Sequence, residues 1–103
     1  MTGRDGSEMH TVTLTAPNGK PLAIGNDQPL AFILGPCVIE SRDHALMMAN
    51  ALAEIGSRRN IPLVYKSSFD KANRTSGKSF RGPGLERGLE ILAKVRRDLQ
   101  VPI

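Results

Sequence analysis

A short stretch of the chain carries all of its excess positive charge. Of the 103 residues, 14 are Lys or Arg and 10 are Asp or Glu, which gives a formal net charge of +4. Asp70 is the single acidic residue between positions 63 and 81, and the rest of the chain holds nine residues of each sign. Charge concentrated in this way favours an anionic ligand. The cations of this basic stretch are Lys66, Lys71, Arg74, Lys78 and Arg81.

The same stretch supplies hydrogen-bond donors at the predicted end of a strand. Lys66 and Ser68 are two residues apart, so they share one face of an extended strand. In a closed barrel that face is the interior, where a lysine is costly unless it meets an anion or a carboxylate. Together the donors suit two anionic groups, such as a carboxylate and one or more phosphates. A solvated loop with charges dispersed in water is the open alternative. The donors that follow are Lys71, Asn73, Arg74, Thr75 and Ser76.

Cys37 is a second candidate, directly after the strand-breaking pair Gly35-Pro36. A lone cysteine in this position can be a small packed hydrophobe, a thiolate nucleophile or a metal ligand. His10 and His44 are poorly placed to act as its base, because one lies in the tail and the other in the first turn of a predicted helix. The residues alone leave these three interpretations open.

The elements that position these residues alternate between strand and helix patterns. Strands that begin near residues 31, 62 and 101 have the spacing of βαβ units in a parallel sheet. We therefore predict an α/β fold, the N-terminal part of a TIM-type (β/α)₈ barrel with two βα units and the start of a third strand. A flavodoxin-like open sheet is the structural competitor. The predicted segments are a flexible tail over 1–10, a β-hairpin over 11–25, a strand over 30–37, a helix over 42–56, a strand over 62–69, a helix over 84–99 and a strand start at 101–103, so that 11–103 form part of one barrel domain.

Local patterns predict the bounds of these elements. Alternating apolar residues on either side of Asn18-Gly19 predict the hairpin, with positive φ angles in its turn. Ser41 is the predicted N-cap of the first helix and Gly56 its predicted end. The second helix is predicted from the spacing of its apolar residues, which are Leu85, Leu89, Leu92, Val95 and Leu99.

Composition excludes several other classes of protein. Aromatic residues make up 4% of the chain and Trp is absent, which argues against a base-stacking nucleic-acid surface. One cysteine excludes an internal disulfide framework. The apolar stretches are too short to cross a bilayer, and the N-terminal residues lack the pattern of a secretory signal. We therefore expect a cytoplasmic protein with no membrane and no nucleic-acid partner.

Three strings of residues closely resemble one enzyme family. They are GPCVIESRD at 35–43, KSSFDKANRTS at 66–76 and SFRGPGLERGLEIL at 79–92. The family is that of the 3-deoxy-D-manno-octulosonate 8-phosphate synthases, also named 2-dehydro-3-deoxyphosphooctonate aldolases. The resemblance runs from about Val12 to Ile103. It implies a transferase of lipopolysaccharide (KDO) biosynthesis that condenses phosphoenolpyruvate with D-arabinose 5-phosphate and water and releases phosphate.

The resemblance also implies a role for each matching residue. Lys66, Ser68 and Lys71 would hold phosphoenolpyruvate, with the two lysines acting in catalysis. Asn73, Arg74 and Thr75 would receive arabinose 5-phosphate, and Thr75 keeps the hydroxyl where many members have serine. Cys37 matches the position that marks the metal-dependent class, so it would be one ligand of a divalent metal ion, with a His, a Glu and an Asp from later strands. The N-terminal hairpin would cap the bottom of the barrel, and the full-length protein would be a homotetramer.

Length is the main departure from the family pattern. The strands after residue 103 would carry the other metal ligands and further phosphate contacts, so we expect a fragment that is inactive and poorly stable alone. Two alternatives stay open. One is a 3-deoxy-D-arabino-heptulosonate 7-phosphate synthase-like enzyme, although Lys71-Ala72-Asn73-Arg74 differs from the Lys-Pro-Arg-Thr-Ser loop typical of that family. The other is a small basic module that binds anions or nucleic acid.

Overall fold

The computed structural model describes residues 10–70 and 81–103. Within these ranges the chain forms two two-stranded sheets and two helices, without a closed barrel. Neither helix is long and apolar enough to cross a membrane. The predicted tail over 1–10 lies outside the described residues except for His10. The elements in chain order are β1 (Val12–Thr15), β2 (Pro21–Ile24), β3 (Phe32–Leu34), α1 (Arg42–Arg59), β4 (Leu63–Tyr65) and α2 (Leu85–Leu99).

The strands β1 and β2 form the antiparallel hairpin that the alternating apolar residues predicted. The turn closes where Ala16 N donates to the Lys20 carbonyl at 3.0 Å. Gly19 adopts a φ of 85°, which glycine tolerates without steric cost. The sequence suggested positive φ at Asn18 as well, but Asn18 contributes differently, because its side-chain oxygen accepts a hydrogen bond from Lys20 N at 2.9 Å.

The strands β3 and β4 pair in parallel, with Phe32 opposite Leu63 and Leu34 opposite Tyr65. Backbone groups alternate in direction along a strand, so β4 can bond a different neighbour on each edge. Pro62 and Lys66 bond β3, whereas Tyr65 N donates to the Pro102 carbonyl at 2.9 Å. The terminal residues 101–103 therefore lie along the edge of β4 opposite β3, where the third strand was expected to start.

Both helices end at a residue in the left-handed conformation, followed by a β-branched residue and a proline. Asn60 has φ 54° after α1, and Gln100 has φ 55° after α2. The carbonyl oxygen of each proline then accepts a hydrogen bond from the preceding strand. Pro62 accepts from Phe32 N and Pro102 accepts from Tyr65 N, each at 2.9 Å. The chain thus makes the same connection from helix to strand twice.

The ends of α1 follow from its sequence, with one correction. Ser41 is the N-cap, as predicted, because its hydroxyl accepts a hydrogen bond from His44 N at 3.1 Å. Gly56 was expected to end the helix, but the helix continues to Arg59 and Gly56 is buried inside it. A Cβ at Gly56 would lie 3.6 Å from the Leu63 Cβ, so this glycine brings α1 close to β4.

The core lies between the helices and one face of the parallel sheet. Tyr65 packs there with Ala49 of α1 and Val95 of α2. The apolar residues whose spacing predicted α2 differ in burial. Val95 is buried and Leu92 and Leu99 pack against the core, whereas Leu89 is 54% exposed. Gly88 and Ile91, which lie outside that pattern, are buried.

Tyr65 brings a hydroxyl into this core. The residue is 1% exposed, and burial raises the pKa of its phenol above the ordinary value. The nearby Ser67 hydroxyl lowers this pKa again in part. The Ser67 hydroxyl donates its own proton to the Pro36 carbonyl at 2.6 Å. Among the described residues, no group meets the Tyr65 oxygen with the geometry of a hydrogen bond. An unpaired buried hydroxyl costs about 1–3 kcal/mol.

We expect Tyr65→Phe to leave the free energy of unfolding unchanged or to raise it by about 1 kcal/mol, because the ring packing stays and the unpaired oxygen goes. The folded-state pKa of Tyr65 is raised, so the folded state keeps its proton longer than the unfolded state. Stability present at neutral pH therefore falls as the pH rises from about 10 toward the folded-state pKa. Urea titrations at pH 7 and above pH 10 would measure both effects. A substantial loss of stability in Tyr65→Phe at neutral pH would show that the hydroxyl has a partner.

Candidate active site

The carboxyl ends of β3 and β4 lie at the same edge of the parallel sheet, and their pairing continues past the strands. Lys66 N donates to the Leu34 carbonyl at 2.9 Å, and Ser68 N donates to the Cys37 carbonyl at 3.3 Å. Ile39 N closes the ladder with a 2.8 Å bond to the Ser68 carbonyl. The segments that carry Cys37 and Lys66 are therefore neighbours. We call this region, formed by residues 35–39 and 66–70, the carboxyl edge.

Gly35 allows this close approach. A Cβ at position 35 would lie 1.7 Å from the carbonyl oxygen of Lys66 and 2.7 Å from its carbonyl carbon. Only a glycine lets the two backbones pass at this distance without moving one of them. The sequence indicated only that Gly35-Pro36 ends the strand. Nothing in the local pattern predicted that the Gly35 backbone crosses this close to the Lys66 carbonyl.

Lys66 is exposed on the side of the sheet away from the helices. Its neighbour Tyr65 points into the helix-covered core, and successive side chains of a strand point to opposite faces. Lys66 therefore lies on the face that would form the interior of a closed barrel. No closed barrel exists within the described residues, so its ammonium group stands in solvent.

The Ser68 hydroxyl is engaged within its own loop. It donates to the Asp70 carbonyl at 2.7 Å and accepts from Asp70 N at 3.2 Å. This arrangement orders the backbone that leaves Lys66. Lys71, Asn73, Arg74 and Thr75, the remaining candidate substrate residues, lie outside the described residues.

Three residues at or next to the carboxyl edge were not singled out from the sequence as functional. Ser67 cross-links the two segments through its 2.6 Å bond to the Pro36 carbonyl. Arg81 forms a two-pronged ion pair with Asp70, with Nε to Oδ1 at 3.1 Å and Nη2 to Oδ2 at 3.0 Å. The sequence counted Arg81 and Asp70 only as charges, because a spacing of eleven residues gives no local signal of pairing.

Cys37 is an exposed free thiol at the carboxyl edge. A thiolate suits soft metal ions, but a metal site needs further ligands. In residues 10–70 and 81–103 no group of three or more His, Cys, Asp or Glu side chains could hold an ion. The described residues therefore do not by themselves form a metal site.

A groove lies at the opposite edge of the parallel sheet. It encloses about 670 Å³ between the hairpin and the first residues of the parallel strands, with Leu22, Pro62 and Pro102 among its lining. Lys20 is the single charged residue among those that the structure assigns to its wall. The groove therefore lies away from Cys37 and Lys66.

Comparison with known proteins decides the family. Residues 10–103 match the DAHP synthetase I family. The chain belongs to this family. Membership of the DAHP synthetase I family implies a TIM-barrel-type fold, of which the described residues form a small α/β part.

Relatives within the DAHP synthetase I family confirm the resemblance that the three motifs indicated. The chain is 60% identical over 80 residues to 2-dehydro-3-deoxyphosphooctonate aldolase of Methylibium petroleiphilum, which covers 78% of this chain and 28% of that protein. The enzyme of the same name from Rickettsia bellii is 57% identical over 84 residues, 82% of this chain and 31% of its own length. The Bordetella pertussis enzyme of that name is 60% identical over 80 residues, with 78% and 28% covered. The chain spans about three-tenths of the length of these relatives.

We expect Gly35→Ala to lower the free energy of unfolding by about 1–3 kcal/mol or more, because the new methyl group overlaps the Lys66 carbonyl and the backbone must shift. Gly56→Ala is the matched control, since a Cβ there meets its nearest atoms at 3.4 Å or more and gains helix propensity of up to about 1 kcal/mol. Urea denaturation followed by circular dichroism would compare the two. Equal stability of Gly35→Ala and the unsubstituted chain would contradict the crossing described above.

Proposed function

We propose that this chain forms the first two βα units of a (β/α)₈ barrel that condenses phosphoenolpyruvate with D-arabinose 5-phosphate and water. The products are 3-deoxy-D-manno-octulosonate 8-phosphate and inorganic phosphate, and the pathway is KDO and lipopolysaccharide biosynthesis. The observation that carries the proposal is the continued pairing at the carboxyl edge, which brings Cys37, Lys66 and Ser68 together. The names of relatives at 57–60% identity support the same substrates.

The residue types fit the charges of the two substrates. Lys66 and Lys71 would bind the phosphate and carboxylate of phosphoenolpyruvate and act in catalysis, and Ser68 would contribute by ordering the loop or by direct contact. Asn73, Arg74 and Thr75 would bind arabinose 5-phosphate. Two phosphorylated molecules repel one another, so the site must provide fixed positive charge where they meet.

The bond changes follow from the substrates. The nucleophilic C3 of phosphoenolpyruvate attacks the aldehyde carbon of the sugar phosphate and forms a carbon–carbon bond. Water adds at C2, and phosphate leaves with cleavage of the C–O bond. Cationic and polar side chains that bind the two reactants side by side would hold them at contact distance, which would convert a collision between like charges into a step within one complex.

The divalent metal is a separate part of the proposal. Cys37 would supply one thiolate, and a His, a Glu and an Asp outside this chain would complete the ligand set. The steps above use only the cationic and polar groups of this chain. A homotetrameric full-length protein in the cytoplasm belongs to the same proposal, and the free thiol of Cys37 suits a reducing compartment.

We expect a chimera, with residues 10–103 of this chain in place of the matching segment of the Methylibium petroleiphilum enzyme, to release phosphate from phosphoenolpyruvate when arabinose 5-phosphate is present. Lys66→Met in the chimera should lower the rate by on the order of 100-fold or more, because it removes a fixed positive charge from the reacting groups. Lys20→Met in the hairpin turn removes the same charge far from the carboxyl edge and should have little effect.

Two outcomes of this assay would contradict the proposal. One is a preference of the chimera for erythrose 4-phosphate over arabinose 5-phosphate, which would favour the heptulosonate enzyme. The other is equal loss of rate in Lys66→Met and Lys20→Met. We expect the 103-residue chain alone to show no turnover, and the same phosphate-release assay measures this.

A further inference from the structure

The two residues that flank the segment 71–80 form an ion pair. Asp70 precedes the segment and Arg81 follows it, and their side chains form two parallel hydrogen bonds of 3.1 and 3.0 Å. A two-pronged pair between guanidinium and carboxylate fixes distance and orientation together, which a single contact does not. The side chains are 52% and 40% exposed, so the pair contributes little net stability through its charges. The ion pair therefore contributes more to the relative position of residues 70 and 81 than to the free energy of unfolding.

The backbone beside the ion pair is closely packed. Gly84 N donates to the Phe69 carbonyl at 3.2 Å. A Cβ at Gly82 would lie 2.2 Å from the Phe69 carbonyl oxygen, and one at Gly88 would lie 2.5 Å from the Phe69 Cβ. The residues that leave β4 thus fit tightly against the start of α2, and only glycines permit this contact.

The ion pair is also connected to the carboxyl edge. The Ser68 hydroxyl binds both backbone groups of Asp70, and Ser68 N bonds the Cys37 carbonyl. A continuous series of hydrogen bonds therefore runs from Cys37 through Ser68 and Asp70 to Arg81. A displacement of Asp70 would be transmitted to the backbone two residues after Lys66.

We propose that Asp70 and Arg81 are positioning residues for the anion site, and we name the pair the loop clamp. This inference rests on the proposed function, since the anion is phosphoenolpyruvate. The clamp holds the end of the Lys66 segment in place without touching the substrate. Arg81 has its guanidinium fork occupied by Asp70, and the Asp70 carboxylate would repel a phosphate.

The clamp and a simple charge effect predict opposite results for one substitution. Asp70→Asn removes a negative charge near the anion site, so the electric field alone would tighten phosphoenolpyruvate binding. Loss of the clamp weakens binding, because the donors lose their fixed spacing. Arg81→Lys keeps the charge and loses the fork, so the field alone predicts no change.

The experiment measures the dissociation constant of phosphoenolpyruvate by calorimetric titration of the chimera described under the proposed function. We expect Asp70→Asn and Arg81→Lys each to raise this constant by about three- to tenfold. The double variant should bind no more weakly than the weaker single variant, because both changes break one interaction. Arg87→Gln is the matched control, since it breaks the exposed Arg87–Glu90 pair of 3.1 Å on α2 and should leave the constant unchanged. Unchanged or tighter binding in Asp70→Asn would overturn the clamp.

Amide hydrogen exchange at Gly84 separates the clamp from the proposed function. Its N–H bonds the Phe69 carbonyl beside the ion pair, so loss of the clamp should speed its exchange several-fold in Asp70→Asn but not in Arg87→Gln. If the unsubstituted chimera fails to bind phosphoenolpyruvate, the proposed role of this chain in binding fails, and faster Gly84 exchange still supports the clamp. Equal exchange in all three proteins overturns the clamp whatever the binding result.

Discussion

The approach of the Gly35 backbone to the Lys66 carbonyl is the contact on which the carboxyl edge depends. Because no side chain separates the two segments, the pairing of β3 with β4 continues as far as Ser68 and Ile39. Lys66 then extends from a backbone that is bonded to its neighbour rather than from a free loop. The cation is exposed, yet its point of attachment is fixed, which is what the proposed binding of phosphoenolpyruvate requires.

The patterns that sequence could interpret were local ones. Asn18-Gly19 indicated a turn and Ser41 a helix start, and the structure has both, because these residues act through bonds to backbone groups within three positions. The rhythm of the apolar runs likewise indicated parallel strands joined by a helix, and β3 and β4 are paired in this way.

What sequence could not predict depended on contacts between distant residues. Periodicity marks a helix but does not say which neighbour covers each of its residues, so Leu89 belongs to the apolar pattern and is exposed, whereas Gly88 is buried. Gly56 is a helix breaker by propensity but a packing residue beside Leu63. At the candidate site, Lys66 and Cys37 were found from their types and positions, whereas Ser67 and the Asp70–Arg81 pair became visible only once the chain was folded.

The connection from helix to strand, made once at Asn60 and once at Gln100, gives the chain a geometric module. Nearly identical dihedral angles and a proline carbonyl bonded to the preceding strand turn the backbone through the same corner each time. Each time, the segment that follows therefore meets the edge of its neighbour through the same backbone hydrogen bond, from the neighbour's N–H to the proline carbonyl. A three-residue joint thereby sets where each new segment joins the sheet, at the end of the strands away from Cys37 and Lys66.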